Sequence, residues 1–171
     1  RTVRNCLIHG TIVNAVNTPS VDAKTIAAVG RYLELCEAMG RMLSQIAPKR
    51  AEFLKINYSG KVSEIDTTLI TRSGMKGYLQ LASGGEVVNH LNAPSFAENL
   101  GITVNETRIS EPDEFTDFIE MSAGNDEGSA SVAGTFFGST PRIVKINDHR
   151  VEADPEGNVL ILSNNDLPGT V

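Results

Sequence analysis

The stretch GSASVAGTFFGSTPRIVKINDHRVEA, residues 128–153, decides the fold. It is rich in Val, Ile, Thr and Phe and is broken by turn residues at Gly138-Ser139 and Asp148-His149. Short β-branched and aromatic runs between such signals read as strands of an antiparallel meander. The spacing predicts strands over 129–137, 142–147 and 150–153. Toward the C-terminus, Asp154-Pro155-Glu156-Gly157 reads as a further turn and 158–163 as another strand. Upstream, 102–109 and 115–122 share the texture, with AGNDEG (123–128) as a hairpin loop.

Before residue 102 the period changes. Ile26, Val29, Leu33, Cys36, Met39 and Leu43 recur at three- and four-residue steps, which predicts a helix over 22–47 that Pro48 ends. Residues 51–58 (AEFLKINY) alternate as a strand. Residues 66–82 read as a second helix despite Gly74 and Gly77, each costing roughly 1 kcal/mol in a helix interior. Two such glycines signal close helix packing. Asn92 caps a third helix, with Pro94 in its first turn and Gly101 at its end. Helices first and a strand meander second make an α+β fold, with helices packed on a largely antiparallel sheet.

With 171 residues, 40% of them hydrophobic and 21% charged, the chain is long enough to bury a substantial core. A net charge of −6 and the absence of Trp argue against a nucleic-acid surface. No apolar run approaches the roughly 20 residues of a membrane span. Arg1 to Arg4 lead into too short an apolar patch for a signal peptide. Cys6 and Cys36 sit in apolar contexts without metal-ligand spacing. The expectation is a cytoplasmic protein with buried thiols.

The inventory for catalysis is poor. His9, His90 and His149 fall on a connector, a helix flank and a turn. No Ser or Cys occupies a nucleophile elbow. Neither a dinucleotide fingerprint nor a phosphate-binding loop is present, so no cofactor is expected in this chain. The acidic run Glu111-Pro112-Asp113-Glu114 reads as a solvated loop, with no metal expected.

One stretch carries more chemistry. Arg142, Lys145, His149 and Arg150 concentrate positive charge on one hairpin of an acidic chain. If Asp148-His149 form its two-residue turn, Asn147 faces Arg150, Lys145 faces Glu152 and Ile143 faces Asp154. Strict alternation then puts Lys145 and Asn147 on one sheet face and Arg142, with Val144, on the other. Such a hairpin cannot aim every cation at one ligand. Two readings stay open: an anion site completed by another surface, and a charged hairpin whose Lys145–Glu152 pair contributes under ~1 kcal/mol.

The segments VVNHLNAPSFAENLGI (87–102) and GSASVAGTFFGSTPRIVKINDHRVEADPEGNVLILSNNDLPGTV (128–171) together resemble the regulatory half of long-form D-3-phosphoglycerate dehydrogenases. The shared order is VNxxNAPxxAxxxGI, a strand ending in GTxxG, IVxIN with a hairpin, then a strand running into an N-x-D-x-P-G loop. GTIVNAVNTPS (10–20) is similar to the end of that family's catalytic region. The resemblance implies a connector over 1–21, an allosteric substrate-binding (ASB) domain over 22–156, and the first strand and loop of an ACT domain over 157–171. On this expectation the chain, which opens on Arg1 and announces after Asn164 a helix it does not contain, is an excerpt of a longer polypeptide.

The resemblance also implies a non-catalytic regulatory and oligomerisation domain of an NAD-dependent enzyme of serine biosynthesis. NAD would sit in the parent protein and none in this fragment. Substrate-like phosphorylated or carboxylated anions would bind between subunits of a homo-oligomer, with Arg142, Lys145, His149 and Arg150 as the site. Asn164 and Asp166 match ligand positions of the ACT loop. The sequence departs from the family at Asp154, where an acid replaces a second cation; it repels phosphate and could pair with Arg142. Two alternatives remain: the related β module of iron–sulfur L-serine dehydratases, and a structural spacer that binds nothing.

Overall fold

A computed structural model of the chain describes residues 23–84, 86–110 and 115–162. The 1–21 connector, and Asn164 and Asp166, lie outside the described residues. The elements are α1 (Ala23–Ile46), β1 (Phe53–Gly60), a 3-10 turn (Lys61–Glu64), α2 (Thr68–Leu79), α3 (Ala93–Asn99), β2 (Thr103–Ile109), β3 (Asp117–Asn125), β4 (Gly128–Phe137), β5 (Thr140–Ile146) and β6 (His149–Ala153). They build a six-stranded sheet in the order β2-β1-β3-β4-β5-β6. β1 and β2 pair in parallel across the α2–α3 crossover; every other neighbouring pair is antiparallel. The expected α+β class, helices on a mostly antiparallel sheet, is what forms.

The three described helices cover one face of this sheet. That inner face carries Leu54, Ile56 and Tyr58 of β1, Ile119 and Met121 of β3, Val132 of β4 and Ile143 of β5, all fully or nearly fully buried. α1 meets them with Leu35, Cys36, Met39 and Leu43, and α2 with Ile70, Met75 and Leu79. The periodicity of α1 therefore reports a real buried stripe. Desolvation pushes the pKa of the Cys36 thiol far above its ordinary value, so it behaves as a small apolar side chain.

The helix glycines work as their spacing implies. A Cβ on Gly77 would overlap the carbonyl oxygen of Glu37, and one on Gly40 would overlap that of Gly74. α1 and α2 thus cross backbone to backbone, which only glycine permits at these points. The crossing is pinned on its flank by Lys76, whose Nζ lies 2.9 Å from Glu37 Oε2. His90 belongs to the same layer: its Nε2 lies 3.2 Å from Ser73 Oγ, which donates to the Leu33 carbonyl. Desolvation, with Lys76 close by, lowers its pKa.

The edge strand β2 is fastened by a polar network. Glu106 accepts hydrogen bonds from Thr67 Oγ1 at 2.6 Å, Thr71 Oγ1 at 2.5 Å and Arg108 Nε at 2.6 Å. Because the Thr71 proton is committed to Glu106, the buried Tyr58 hydroxyl donates to Thr71 Oγ1, at 2.9 Å. Burial raises the Glu106 pKa, but these donors outweigh it and hold the carboxyl below its ordinary value.

Two expectations need correction. AGNDEG is not a six-residue loop: β3 continues to Asn125, which pairs with Gly128 and leaves only Asp126-Glu127 between the strands. The two-residue loop keeps the ladder hydrogen bonds that a longer one would forfeit. Residues 158–162 form no strand. Among the described residues the sheet ends at β6 and the apolar run 158–162 has no strand partner; Leu160 and Leu162 are about 80% exposed. Val159 and Ile161 instead line a cavity of about 430 Å³ against Met42 and Ile46 of α1.

Candidate functional site

The β5–β6 hairpin differs from its sequence-based register in a way that changes its chemistry. Ile146 pairs with His149, so the loop is Asn147-Asp148, not Asp148-His149. The reason is conformational: Asn147 sits at φ 50°, the left-handed region that the first loop position of such a turn demands and that Asn tolerates. Its side chain is also used, since Asn147 Oδ1 accepts from the Ser131 N–H at 2.9 Å. Lys145 consequently pairs with Arg150 rather than Glu152.

A β-bulge supplies the second change. The β4–β5 register runs Ala133↔Lys145 and then Gly134↔Ile143, leaving Val144 as the extra residue. Ile143 and Ile146 both reach the core, while Val144 and Lys145 both turn to the outer face, which none of the described helices covers. Arg142, opposite Thr135, lies on that outer face as well. The strict alternation that separated Arg142 from Lys145 is thereby broken. Arg142, Lys145 and Arg150 share one face. His149, paired with inward-facing Ile146, falls on the other and leaves the group.

Each of these cations has company. Arg142 Nη1 lies 3.2 Å from Asp154 Oδ2, and its Nε lies 3.9 Å from Glu152 Oε1. Lys145 Nζ lies 3.5 Å from Glu120 Oε1. Glu120 is two strands away, in a cross-sheet row with Asn57, whose Nδ2 donates to Glu120 Oε2 at 3.4 Å. The pairing of Arg142 with Asp154 is as the sequence suggested, whereas Lys145 meets Glu120 and not Glu152. Each pair has at least one partner open to solvent, Asp154 and Glu152 beside Arg142 and Lys145 beside Glu120, so each contributes at most about 1 kcal/mol.

Next to them stands a feature the sequence reading missed. Phe115, Phe118, Phe137 and Val144 wall a cavity of about 410 Å³, with Lys145 and Arg150 at its rim. The cue was the Phe115/Phe118 spacing of three, which fits neither a strand face nor a hairpin partner. Among the described residues no three His, Cys, Asp or Glu side chains converge as metal ligands, and no helix is long and apolar enough to cross a membrane. β1 leaves the sheet through Gly60 into a 3-10 turn, instead of a glycine-rich loop opening a helix.

The comparisons agree with this architecture. Residues 28–147 match the model of the D-3-phosphoglycerate dehydrogenase intervening domain. The chain is 30% identical over 160 residues to the D-3-phosphoglycerate dehydrogenase of Methanocaldococcus jannaschii, covering 92% of this chain and 30% of that protein. It is 29% identical over 158 residues to that of Archaeoglobus fulgidus, covering 92% and 30%. For that of Bacillus subtilis the identity is 24% over 163 residues, covering 94% and 30%. The chain thus spans about 30% of the length of these relatives. With its matched region running from α1 to the β5–β6 loop, the chain belongs to the family of D-3-phosphoglycerate dehydrogenase intervening domains.

Proposed function

We propose that this domain is the regulatory and oligomerisation module of an NAD-dependent D-3-phosphoglycerate dehydrogenase in serine biosynthesis. It senses a small phosphorylated or carboxylated anion and performs no catalysis itself. The observation that carries the reading is the bulge at Val144, which turns Arg142 and Lys145 to the sheet face that also bears Arg150. Three cations on one face of an acidic chain form a local anion site against the overall field. The family match supports the dehydrogenase over the dehydratase module. NAD would be held by parts of the parent protein outside this chain.

Regulation requires that the anion bind one arrangement of domains or subunits more tightly than another. A site on an uncovered sheet face meets that requirement when a neighbouring subunit supplies the opposite wall. Asn164 and Asp166 remain proposed ligands of an adjoining ACT loop. The structural-spacer reading is favoured by one observation, the carboxylates of Asp154, Glu152 and Glu120 already beside Arg142 and Lys145.

Calorimetric titration with phosphohydroxypyruvate tests the choice, at a concentration where sizing shows an oligomer. Saturable binding that weakens at least tenfold in Arg142→Ala supports anion sensing. No heat from a confirmed oligomer leaves the spacer reading standing instead.

A further inference from the structure

The sheet face opposite the described helices is not uniformly polar. Near the Phe118 end of β3, three rings gather: Phe115 stacks on Phe118 at 6.0 Å between centroids and 6° between planes, and lies 6.3 Å from Phe137 at 33°. Phe137 remains 47% exposed. A ring left half in water retains hydrophobic free energy that a ligand could realise on burial. The bulge adds Val144 to the same wall. The resulting cavity, about 410 Å³, falls within the size range of small-molecule pockets.

Its rim is charged where its wall is apolar. Lys145, Arg150, Asp148 and Glu152 border it. Glu152 is drawn toward Arg142, and among the described residues Lys145 is paired with Glu120, whose carboxylate lies 3.5 Å away and is about a quarter exposed. The rings and Val144 offer nothing to the hydroxyls of a short phosphorylated acid, which would be desolvated there without partners. They do suit an apolar body. Five apolar side chains, Val151 included, are too few for a stable protein interface, which needs some 20–30 residues a side.

We propose that this cavity binds an amphipathic organic anion: a carboxylate with an aromatic or branched aliphatic body. The body lies against Phe115, Phe118 and Phe137, and the carboxylate takes Lys145 from Glu120. The proposal rests on the anion reading above for its cations and adds the apolar half of the ligand.

The test uses the 171-residue chain and three probes: 3-phenylpropionate, the uncharged 3-phenylpropan-1-ol, and 3-phosphoglycerate. Affinities are measured by amide-shift NMR titration on the parent chain and on Phe137→Ser, Lys145→Gln and Arg142→Ala. Both cavity substitutions are at partly exposed side chains, and an unchanged urea midpoint shows that folding is kept. The expected result is saturable 3-phenylpropionate binding at least tenfold tighter than the alcohol, and at least tenfold weaker in Phe137→Ser and in Lys145→Gln. Unchanged affinity in Phe137→Ser, or no saturation, overturns the proposal. If 3-phosphoglycerate alone binds, with loss in Arg142→Ala, the cavity proposal fails and the anion-sensing function stands. If 3-phenylpropionate alone binds with the expected losses, the cavity stands and the phosphorylated effector falls. A concentration-dependent dimer abolished by Phe137→Ser would also overturn it, because the rings would then be a contact between copies.

Discussion

The two faces of the sheet obey different rules. The inner face is filled by side chains with almost no freedom: Ile56, Met121, Val132 and Ile143 are fully buried beneath three helices. The outer face carries a row of Asn57, Glu120, Lys145 and Arg150, and beyond it an aromatic corner. Volume and shape dictate the first, and the second is set by which charges the strand registers bring together. A one-residue bulge serves both faces at once: it brings Ile143 and Ile146 into the core and puts Arg142 and Lys145 together outside. Changes on the two faces should therefore separate stability from ligand binding.

The largest effect is expected from contrasting isoleucines. Ile56→Ala, in the core, should lower unfolding free energy by about 3 kcal/mol, whereas Ile109→Ala, half exposed at the end of edge strand β2, should stay within about 0.5 kcal/mol. Urea denaturation of both variants measures the gap, and equal losses would break the distinction.

Gly77→Ala comes next, at about 2 kcal/mol, because the added methyl must push the Glu37 backbone aside. The same substitution at Gly30, where a Cβ meets nothing, should be neutral or slightly stabilising in that assay.

Glu106 gives a pH-dependent test of how β2 is held. Its folded pKa is depressed below the ordinary 4.5, so its contribution is present above that value. The contribution is lost as pH falls through the folded value, because the unfolded state then binds the extra proton more readily. Glu106→Gln should cost about 1 kcal/mol at neutral pH and almost nothing in strong acid, which flattens the acid limb of a thermal stability profile.

The smallest stability change belongs to the outer face. Asp154→Asn should alter unfolding free energy by less than about 0.5 kcal/mol. By removing the carboxylate beside Arg142 it should also tighten phosphohydroxypyruvate binding roughly fivefold. A large stability loss there would mean that the hairpin charges serve the fold.

The legibility of the sequence divides along the same two faces. α1 was readable from Val29 to Leu43 because a buried stripe repeats with the helix period, and Gly77 announced the close crossing, whereas Gly74 makes room for Met121 of the sheet. The outer face was less readable, since hairpin register depends on single residues. Gly134, mid-strand and opposite the bulge, was the available cue, as was the tolerance of Asn147 for a left-handed turn. Both say that the strand count slips by one, but neither says in which direction without the partner strand in place. The run 158–162 misled because β propensity cannot provide a neighbour to pair with.

The crossing of α1 and α2 has a mechanical consequence. Where helices touch through side chains, rotamer changes let one slide past the other by small steps. At Gly40 and Gly77 no side chain lies between the backbones to absorb such a step. The two helices are therefore expected to move as one body, so that a displacement imposed on α1 carries α2 and the Ser73–His90 contact with it.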